Sequence, residues 1–414
     1  METEEILKGQ EYTFVNEQLT EEEESLDCPH LTVSRKRLRL FLDMVDKIAD
    51  QKDPHCAYIL MDVDSFERED GTIENKMILN ATDSVISTML QMEIPVLNTK
   101  NVYDGKPVVI KSSVLRKIDG LLMGNNITFR LLDTENHKDV HVHTLFCGGW
   151  IRIPTGSYTE ETFSIKLGEA QTSVELAPTE VYNALTSLIP VLTKQSTGTF
   201  GTVVFKDSYA FVEDVGGYVR YDGAFFTHRL PLWVSSILKT LIRSTQTKML
   251  TIQVQRNSVS DYPFIHYKGD SFEFIFTRYG NVNSSYDRVN LSYGVSVNMD
   301  TLKSLAKLPT ELQADMQDFY DNTVTLMFDK DSKTGNEEFH VILGGKTAEE
   351  NVHVIGHETF GELRDYFKIK VPAALLKNFL CSCPSTESVN LMVKDNHLYV
   401  SSGAWSCSID AIVD

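Results

Sequence analysis

The segment Gly345-Lys346-Thr347 looks like the end of a phosphate-binding loop, and it follows residues that alternate like a strand. In such a loop a glycine stands five residues before the Gly-Lys pair, so that the backbone can wrap around the phosphates. His340 occupies that position here. The sequence therefore does not predict a nucleotide site.

Histidines and acidic residues offer a second kind of chemistry, a metal site. His137, His141 and His143 are close in sequence, and residues 141 and 143 share one strand face, but no cysteine or carboxylate set at ligand spacing accompanies them. Asp62 and Asp64 could hold a divalent ion, but they fit better as a strand end that enters a turn. We therefore expect no bound metal.

Candidates for acid–base or nucleophilic catalysis are equally incomplete. Gly356-His357-Glu358 lacks the second histidine of a zinc-protease helix. His228 and His266 stand in no pattern that marks a catalytic triad, although spacing alone leaves one open. The sequence thus predicts no catalytic residue and no cofactor, and we expect a protein that is not an enzyme.

The elements that would position any site repeat along the chain. From Cys28 onward, an amphipathic segment with apolar residues at i, i+3 and i+4 is followed by short strands that alternate with period two. The amphipathic segments start 53 to 77 residues apart, a loose period that indicates repeated architecture. We predict helices over residues 34–50, 111–123, 178–194, 231–248, 300–318 and 371–381.

Six successions of a helix and a set of strands predict an α+β fold, with antiparallel sheets and with helices gathered on one face. A chain of 414 residues is too long for one ordinary core and fits three domains of about 140 residues. We predict an acidic N-terminal extension over residues 1–27 and repeated domains over 28–168, 169–288 and 289–414.

The N-terminal extension carries ten acidic residues against a single lysine, Lys8, and contains the run Glu21-Glu22-Glu23-Glu24. Either a solvated tail or a docking segment for a partner would have this composition. No secretory signal and no apolar run of the roughly 20 residues needed for a membrane span is visible. Six scattered cysteines suit a reducing compartment, so we expect a cytoplasmic protein in a bacterium or a phage-infected host cell.

The predicted helices share one polarity: basic residues lie opposite the apolar stripe, except in the third helix. The six segments together hold 15 Lys and Arg against 9 Asp and Glu, so the rest of the chain carries −25 of the total charge of −19. Basic faces on an acidic body are typical of a protein that attracts duplex DNA to one surface. The candidate DNA-binding residues are Lys36, Arg39, Lys47, Arg116, Lys117, Lys239, Arg243, Lys303, Lys307 and Lys377.

The order and spacing of these segments resemble the beta sliding clamp family of bacterial and phage replicases. The likeness covers nearly all of the chain after the acidic extension. It is carried by HLTVSRKRLRLFLDMVDKI, GKPVVIKSSVLRKIDGLLMGNNITFRLLD, VELAPTEVYNALTSLIPVL, DSFEFIFTRYG and FKIKVPAALLKNFLCSCPSTESVNLMVKDNHLYVSS. The resemblance implies three clamp domains per chain and two chains closed head to tail into a ring. Helices would line the hole, and the ring would surround duplex DNA without reading bases.

The same resemblance implies a hydrophobic pocket that takes peptide motifs of a DNA polymerase and a clamp loader. The implied pocket combines a Gly-rich turn of the middle domain with the end of the chain. Neither segment keeps the family's usual residues, so peptide specificity should differ. The residues concerned are Gly216, Tyr218, Val219, Ile409, Ala411, Ile412 and Val413.

The leading hypothesis is therefore a DNA polymerase processivity clamp, active as a homodimer. A clamp-shaped scaffold that recruits transcription or repair proteins to DNA is the alternative, and an enzyme is a more distant one.

Overall fold

The computed structural model describes most of the chain from residue 30 onward. The described residues are 30–48, 58–67, 71, 73–83, 87–100, 107–122, 124–133, 138–144, 149–156, 160–192, 201–257, 263–278, 280, 284–315, 320–330, 334–345, 350–354, 357–361, 366–384 and 387–412. The acidic extension and Val413 lie outside them.

Six α-helices occur among the described residues, and each matches one predicted segment to within a few residues. None of these helices is long and apolar enough to cross a membrane. The helices are α1 (Arg35–Ile48), α2 (Ser112–Leu121), α3 (Pro178–Leu192), α4 (Leu232–Thr245), α5 (Met299–Asp315) and α6 (Ala373–Ser382).

The described residues form two compact units, the first within 30–178 and 240–278 and the second within 179–239 and 280–412. All strands of unit 1 belong to a single twelve-stranded antiparallel sheet. Its main path is β8 (Gly149–Ile153), β7 (Lys138–Thr144), β6 (Asn126–Asp133), β1 (His30–Ser34), β4 (Thr88–Lys100), β16 (Phe272–Thr277), β15 (Pro263–Lys268), β14 (Leu250–Asn257) and β9 (Leu167–Leu176). The branch from β4 consists of β3 (Ile73–Thr82), β2 (Tyr58–Glu67) and β5 (Val108–Lys111), and a 3-10 turn covers Glu160–Phe163.

Unit 2 contains one nine-stranded and one four-stranded sheet, both antiparallel. The larger sheet runs β13 (His228–Pro231), β10 (Thr202–Lys206), β11 (Tyr209–Asp214), β12 (Gly217–Asp222), β25 (Trp405–Asp410), β24 (His397–Ser402), β23 (Ser388–Lys394), β17 (Gly294–Asn298) and β21 (Glu358–Phe360). The smaller one runs β20 (Glu350–Val354), β19 (Glu337–Gly345), β18 (Tyr320–Lys330) and β22 (Phe367–Pro372).

A short strand, a helix and three further strands follow one another six times, from β1 to β25, with only β21 as an addition. The predicted α+β fold of repeated clamp-like units is thereby confirmed. Local chemistry supports the pattern: Asn298 caps α5 by accepting a hydrogen bond from the Thr301 backbone N–H at 3.0 Å. Asp395 and Asn396 adopt positive φ between β23 and β24, as a two-residue hairpin requires.

Each large sheet joins strands of the predicted middle domain to strands of an outer one. In unit 1, β16 pairs with β4, with Phe272 opposite Met92. In unit 2, β12 pairs with β25, with Val219 opposite Cys407. This sharing explains why the two compact units do not coincide with the three predicted domains, whose boundaries stay a prediction.

The helices turn their apolar stripes into these units. In α1 the stripe of Leu38, Leu42 and Val45 is buried, as its spacing predicts. In unit 2 the core includes Phe379 of α6 and Trp405 of β25, and the Trp405 indole N–H donates to the Ser382 hydroxyl at 3.0 Å. Burial of these stripes leaves Lys36 and Lys47 of α1 exposed on the opposite side of the helix.

Candidate functional site

Most of the basic side chains predicted to bind DNA in unit 1 lie on α1 and α2. Lys36 and Lys47 of α1 are exposed, and so is Lys117 of α2. Lys47 and Lys117 have no carboxylate within ion-pair distance among the residues that the structure describes. These lysines therefore provide positive charge that can reach a phosphate backbone.

Two of the predicted DNA-binding arginines form ion pairs with acids of the neighbouring helix. Arg39 is 49% exposed, but its Nε donates to the Asp119 carboxylate at 2.5 Å. Arg116 is one-third exposed, and its guanidinium lies 3.0 Å from Asp43 and 2.5 Å from Asp46. The acids that pair with both arginines come from the neighbouring helix, and contact of these arginines with DNA stays a prediction.

Asp119 is the centre of this charge network. It is an acidic residue on the inner side of α2, and its side chain is 11% exposed. One carboxylate oxygen accepts from Arg35 Nε at 2.5 Å and the other accepts from Arg39. Arg35 also donates to the backbone carbonyls of Asp119 and, at 3.0 Å, Gly124. The network ties α1 to α2 and so fixes the spacing of the exposed lysines.

In unit 2 the predicted lysines lie on α4, α5 and α6. Lys239 is half-buried, with its Nζ 5.8 Å from the centre of the Tyr182 ring. Lys303 Nζ lies 3.5 Å from the carbonyl of Cys383 at the end of α6, whereas Lys307 is exposed. Lys377 is half-buried on α6. The remaining candidate, Arg243, belongs to the part of α4 that lies in unit 1 and is half-buried.

In the described part of the chain, no group of three His, Cys, Asp or Glu could hold a metal ion. Asp62 and Asp64 do not end a strand: both lie inside β2, where each carboxylate accepts the next backbone N–H. The strand-end interpretation is therefore corrected. The side chains of His137, His141 and His143, and the segment after Gly345, lie outside the described residues.

The predicted Gly-rich turn connects β11 to β12 in unit 2. Val215 and Gly216 form a tight two-residue connection, in which Gly216 has φ +97° and Val215 is 78% exposed. A side chain on Gly217 would lie 2.1 Å from the carbonyl oxygen of Ser408, so only glycine allows β12 to approach β25 here. The turn thus presents an apolar side chain at the edge of a closely packed strand pair.

The end of the chain is fixed beside this turn by its backbone. The N–H of Asp410 donates to the Gly216 carbonyl, that of Ala411 to Asn396 and that of Ile412 to Lys370, each at 2.8 Å. Ala411 and Ile412 stay partly exposed. The turn and the chain end are therefore neighbours, as the predicted pocket requires.

Two predicted pocket residues do not belong to any accessible surface. Val219 and Ile409 are both fully buried. Strand alternation places them on the inner face of their sheet, opposite to their neighbours Tyr218 and Asp410. We correct the pocket accordingly: of the predicted set, Gly216, Tyr218, Ala411 and Ile412 have surface that a peptide could reach, and Val413 lies outside the described residues.

Sequence reasoning missed an aromatic cluster around Tyr286, in the segment that precedes β17. The Tyr286 ring stacks on Tyr218 with 4.1 Å between ring centres, and its hydroxyl donates to Glu213 at 2.6 Å. Its backbone N–H donates to the Tyr209 hydroxyl at 3.1 Å, and its carbonyl accepts from Arg220. The only signal in the sequence is a tyrosine within an otherwise polar stretch.

Burial in this cluster raises the pKa values of two tyrosine hydroxyls. Burial raises the pKa of Tyr218 to about 12, and the electrostatic effect of the neighbouring Tyr399 adds to this shift. Burial, followed by the hydrogen bond to Glu213, raises the pKa of Tyr286 above its usual value. Both hydroxyls are therefore uncharged at neutral pH, and that of Tyr286 donates its hydrogen bond to Glu213.

Comparison with solved structures gives the fold a name. No protein-family model matches the sequence, and no curated protein matches it. The DNA polymerase III beta subunit of Thermotoga maritima superposes with a TM-score of 0.64 at 11% identity, over 94% of this chain and 100% of that one. The beta subunit of Streptococcus pyogenes gives 0.66 at 13% identity, over 93% of this chain and 100% of that one.

A third structure, the Helicobacter pylori beta clamp bound to a DNA ligase peptide, gives a TM-score of 0.64 at 16% identity, over 93% of this chain and 100% of that one. The chain therefore has the fold of beta sliding clamps over almost its whole length, and the resemblance seen in the sequence is confirmed at the level of the fold.

Proposed function

We propose that this protein is a sliding DNA clamp, which encircles duplex DNA without sequence specificity and tethers a replicative DNA polymerase. The observation that carries the proposal is the agreement of the fold with bacterial beta clamps over 93–94% of the chain. The role requires no catalytic group, because a clamp acts by position and topology.

The distribution of charge supports the DNA-binding part of the proposal. Exposed lysines on α1, α2 and α5 belong to a chain of net charge −19, so the positive charge is local. Lysines contact phosphates as mobile point charges and carry no base readout. Direct affinity should therefore be weak and steeply dependent on salt, while the closed ring retains the duplex.

Strand order supports closure of the ring by a second copy. In both junctions between predicted domains, β4 with β16 and β12 with β25, the last strand of one repeated unit pairs antiparallel with the last strand of another. The last strands that remain are β8 and β20, each five residues long and each at the end of its sheet. Pairing of β8 with β20 of a second copy would repeat the same junction twice and close a homodimer.

The turn and chain end of unit 2 support a peptide site for a polymerase or a clamp loader. Exposed Val215 and partly exposed Ile412 and Tyr218 offer apolar surface beside backbone that is already fixed. Apolar anchors in preformed sites contribute much of the affinity for short motifs. The alternative function is a scaffold that recruits repair proteins. The DNA ligase peptide bound by the Helicobacter pylori clamp favours this alternative.

Light scattering and duplex binding test this proposal together. We expect a particle of twice the chain mass of 46.8 kDa at micromolar concentration. Two unrelated duplexes should bind with equal affinity, which falls steeply as salt rises. A strictly monomeric protein would contradict the ring. Strong preference for one duplex sequence would contradict a clamp that ignores bases and would favour a site-specific DNA-binding protein.

A further inference from the structure

The exposed lysines of unit 1 form a surface whose positive charge is not cancelled by the acidic residues of the same helices. We define the unit 1 basic face as Lys36, Lys47, Lys111 and Lys117, all exposed. Asp43 and Asp46 of α1 pair with Arg116, which offsets part of their charge. Arg39 is in turn held by Asp119, so the lysines dominate the charge that this face presents.

A segment of opposite charge precedes, in the sequence, the strand that leads into α1. Residues 1–27 carry ten acidic residues and one lysine, and they join the described chain at His30, the first residue of β1. The five residues of β1 span about 17 Å and lead straight into α1. Six residues separate Glu24 from His30 and nine separate Glu21 from it, which allows a reach of roughly 20 to 30 Å.

We propose that residues 1–27 bind the unit 1 basic face of their own chain and compete there with duplex DNA. The competition with DNA rests on the proposed clamp function, whereas the contact within the chain does not. A short connection holds such a segment at an effective concentration of about a millimolar, so even a weak ionic contact is well populated at low salt. The acidic side chains of the extension then contact the same lysines that the phosphates of DNA would contact.

The contact itself can be tested without DNA. A carbodiimide joins a carboxylate to an amine with no spacer, so it links only groups already in contact. We expect links from Glu21–Glu24 to Lys36, Lys47, Lys111 or Lys117 within one chain, and their loss in the variant with Glu21, Glu22, Glu23 and Glu24 all changed to Gln. Links only to other lysines, or only between chains in a mixture of light and isotopically heavy protein, would overturn the proposal.

The competition is tested by affinity for a duplex oligonucleotide at low salt. The same four Glu→Gln changes should tighten binding by about 10-fold, and the gain should vanish as salt rises. The matched control changes four exposed carboxylates of unit 1 outside the helices: Glu67→Gln, Glu161→Gln, Glu169→Gln and Glu175→Gln. An equal gain in the control would show a general charge effect and overturn the competition. If neither protein binds DNA while the crosslinks persist, the clamp function fails and the internal contact stands.

Discussion

Removal of the Asp119 carboxylate should separate α1 from α2, because two arginines depend on it. Arg35 is the important one: its side chain is only 10% exposed, so Asp119→Ala would leave a guanidinium charge buried without a counterion. Breaking a buried ion pair in this way costs about 3–5 kcal/mol. Arg35 keeps its hydrogen bonds to the carbonyls of Asp119 and Gly124, which places the cost near the lower limit.

Loss of the Arg39 ion pair adds little to the free-energy cost of Asp119→Ala. Its side chain is 49% exposed, and solvent screening limits such a pair to less than about 1 kcal/mol. We therefore expect Asp119→Ala to destabilise the helix pair by about 3–4 kcal/mol, which corresponds to amide exchange roughly 200- to 1,000-fold faster. Hydrogen–deuterium exchange of residues 35–48 and 112–121 measures this directly.

The matched control is Asp43→Ala on α1. Asp43 is 63% exposed and shares Arg116 with Asp46, so its loss should cost less than about 1 kcal/mol. A double variant with Arg35→Met and Asp119→Leu removes both charges and should recover most of the stability. Equal exchange in Asp119→Ala and Asp43→Ala would refute the assignment of Asp119 as the residue that holds the helices together.

Three further predictions concern single residues of the sheets and the chain end. Glu273 accepts a hydrogen bond from Lys268 Nζ at 2.9 Å. The hydrogen bond with neighbouring His266, more than that with Lys268, lowers the pKa of Glu273 to about 2. The ionised carboxylate therefore stabilises the fold fully above about pH 4.5, and this stabilisation is lost as the pH falls toward 2. Urea unfolding should show that Glu273→Gln costs on the order of 2–3 kcal/mol at pH 7 and almost nothing at pH 2, and a pH-independent difference would contradict this. Gly217→Ala should destabilise unit 2 by about 1–3 kcal/mol because its Cβ meets the Ser408 carbonyl, whereas Gly120→Ala, which meets nothing within 4 Å on α2, should be neutral or stabilising in the same thermal melt. Ile412→Ala should weaken a polymerase tail peptide at least 5-fold by calorimetry with unfolding unchanged, and undiminished affinity would place the peptide site elsewhere.

The sequence predicts the helices well because amphipathic periodicity is a local property. Leu38, Leu42 and Val45 recur at helical spacing, and all three are buried on α1. The β24 strand follows from the same kind of signal, the period-two alternation of HLYVSS after a turn. Repetition of such units along the chain predicts the α+β arrangement, and the resemblance to beta sliding clamps supplied the identity of the fold.

The details of the site depend on contacts between elements, which periodicity does not encode. A helix viewed alone places Arg39 and Arg116 outward, but the acids that hold them lie on the other helix of the pair. Likewise, the glycine turn was located correctly, while burial of Val219 and Ile409 follows from the pairing of β12 with β25 across about 190 residues of sequence. The Tyr286 cluster is long-range for the same reason.

The most direct test of the clamp is its retention on circular DNA. The protein is loaded onto nicked circular duplex and washed at a salt concentration that dissolves simple ionic contacts, and the bound fraction is measured before and after the circle is cut. We expect retention on the circle and rapid loss on linear DNA, because topology rather than contact energy holds the ring in place.

Two charge variants show which surface faces the DNA in this measurement. Lys36→Glu, Lys47→Glu, Lys117→Glu and Lys307→Glu together reverse exposed charges on the helices, and Lys166→Glu, Lys330→Glu, Lys368→Glu and Lys394→Glu reverse an equal number elsewhere. The first variant should lose retention on circular DNA while the second keeps it, with both folded by circular dichroism. Equal release of the parent protein from circular and linear DNA would contradict the sliding clamp.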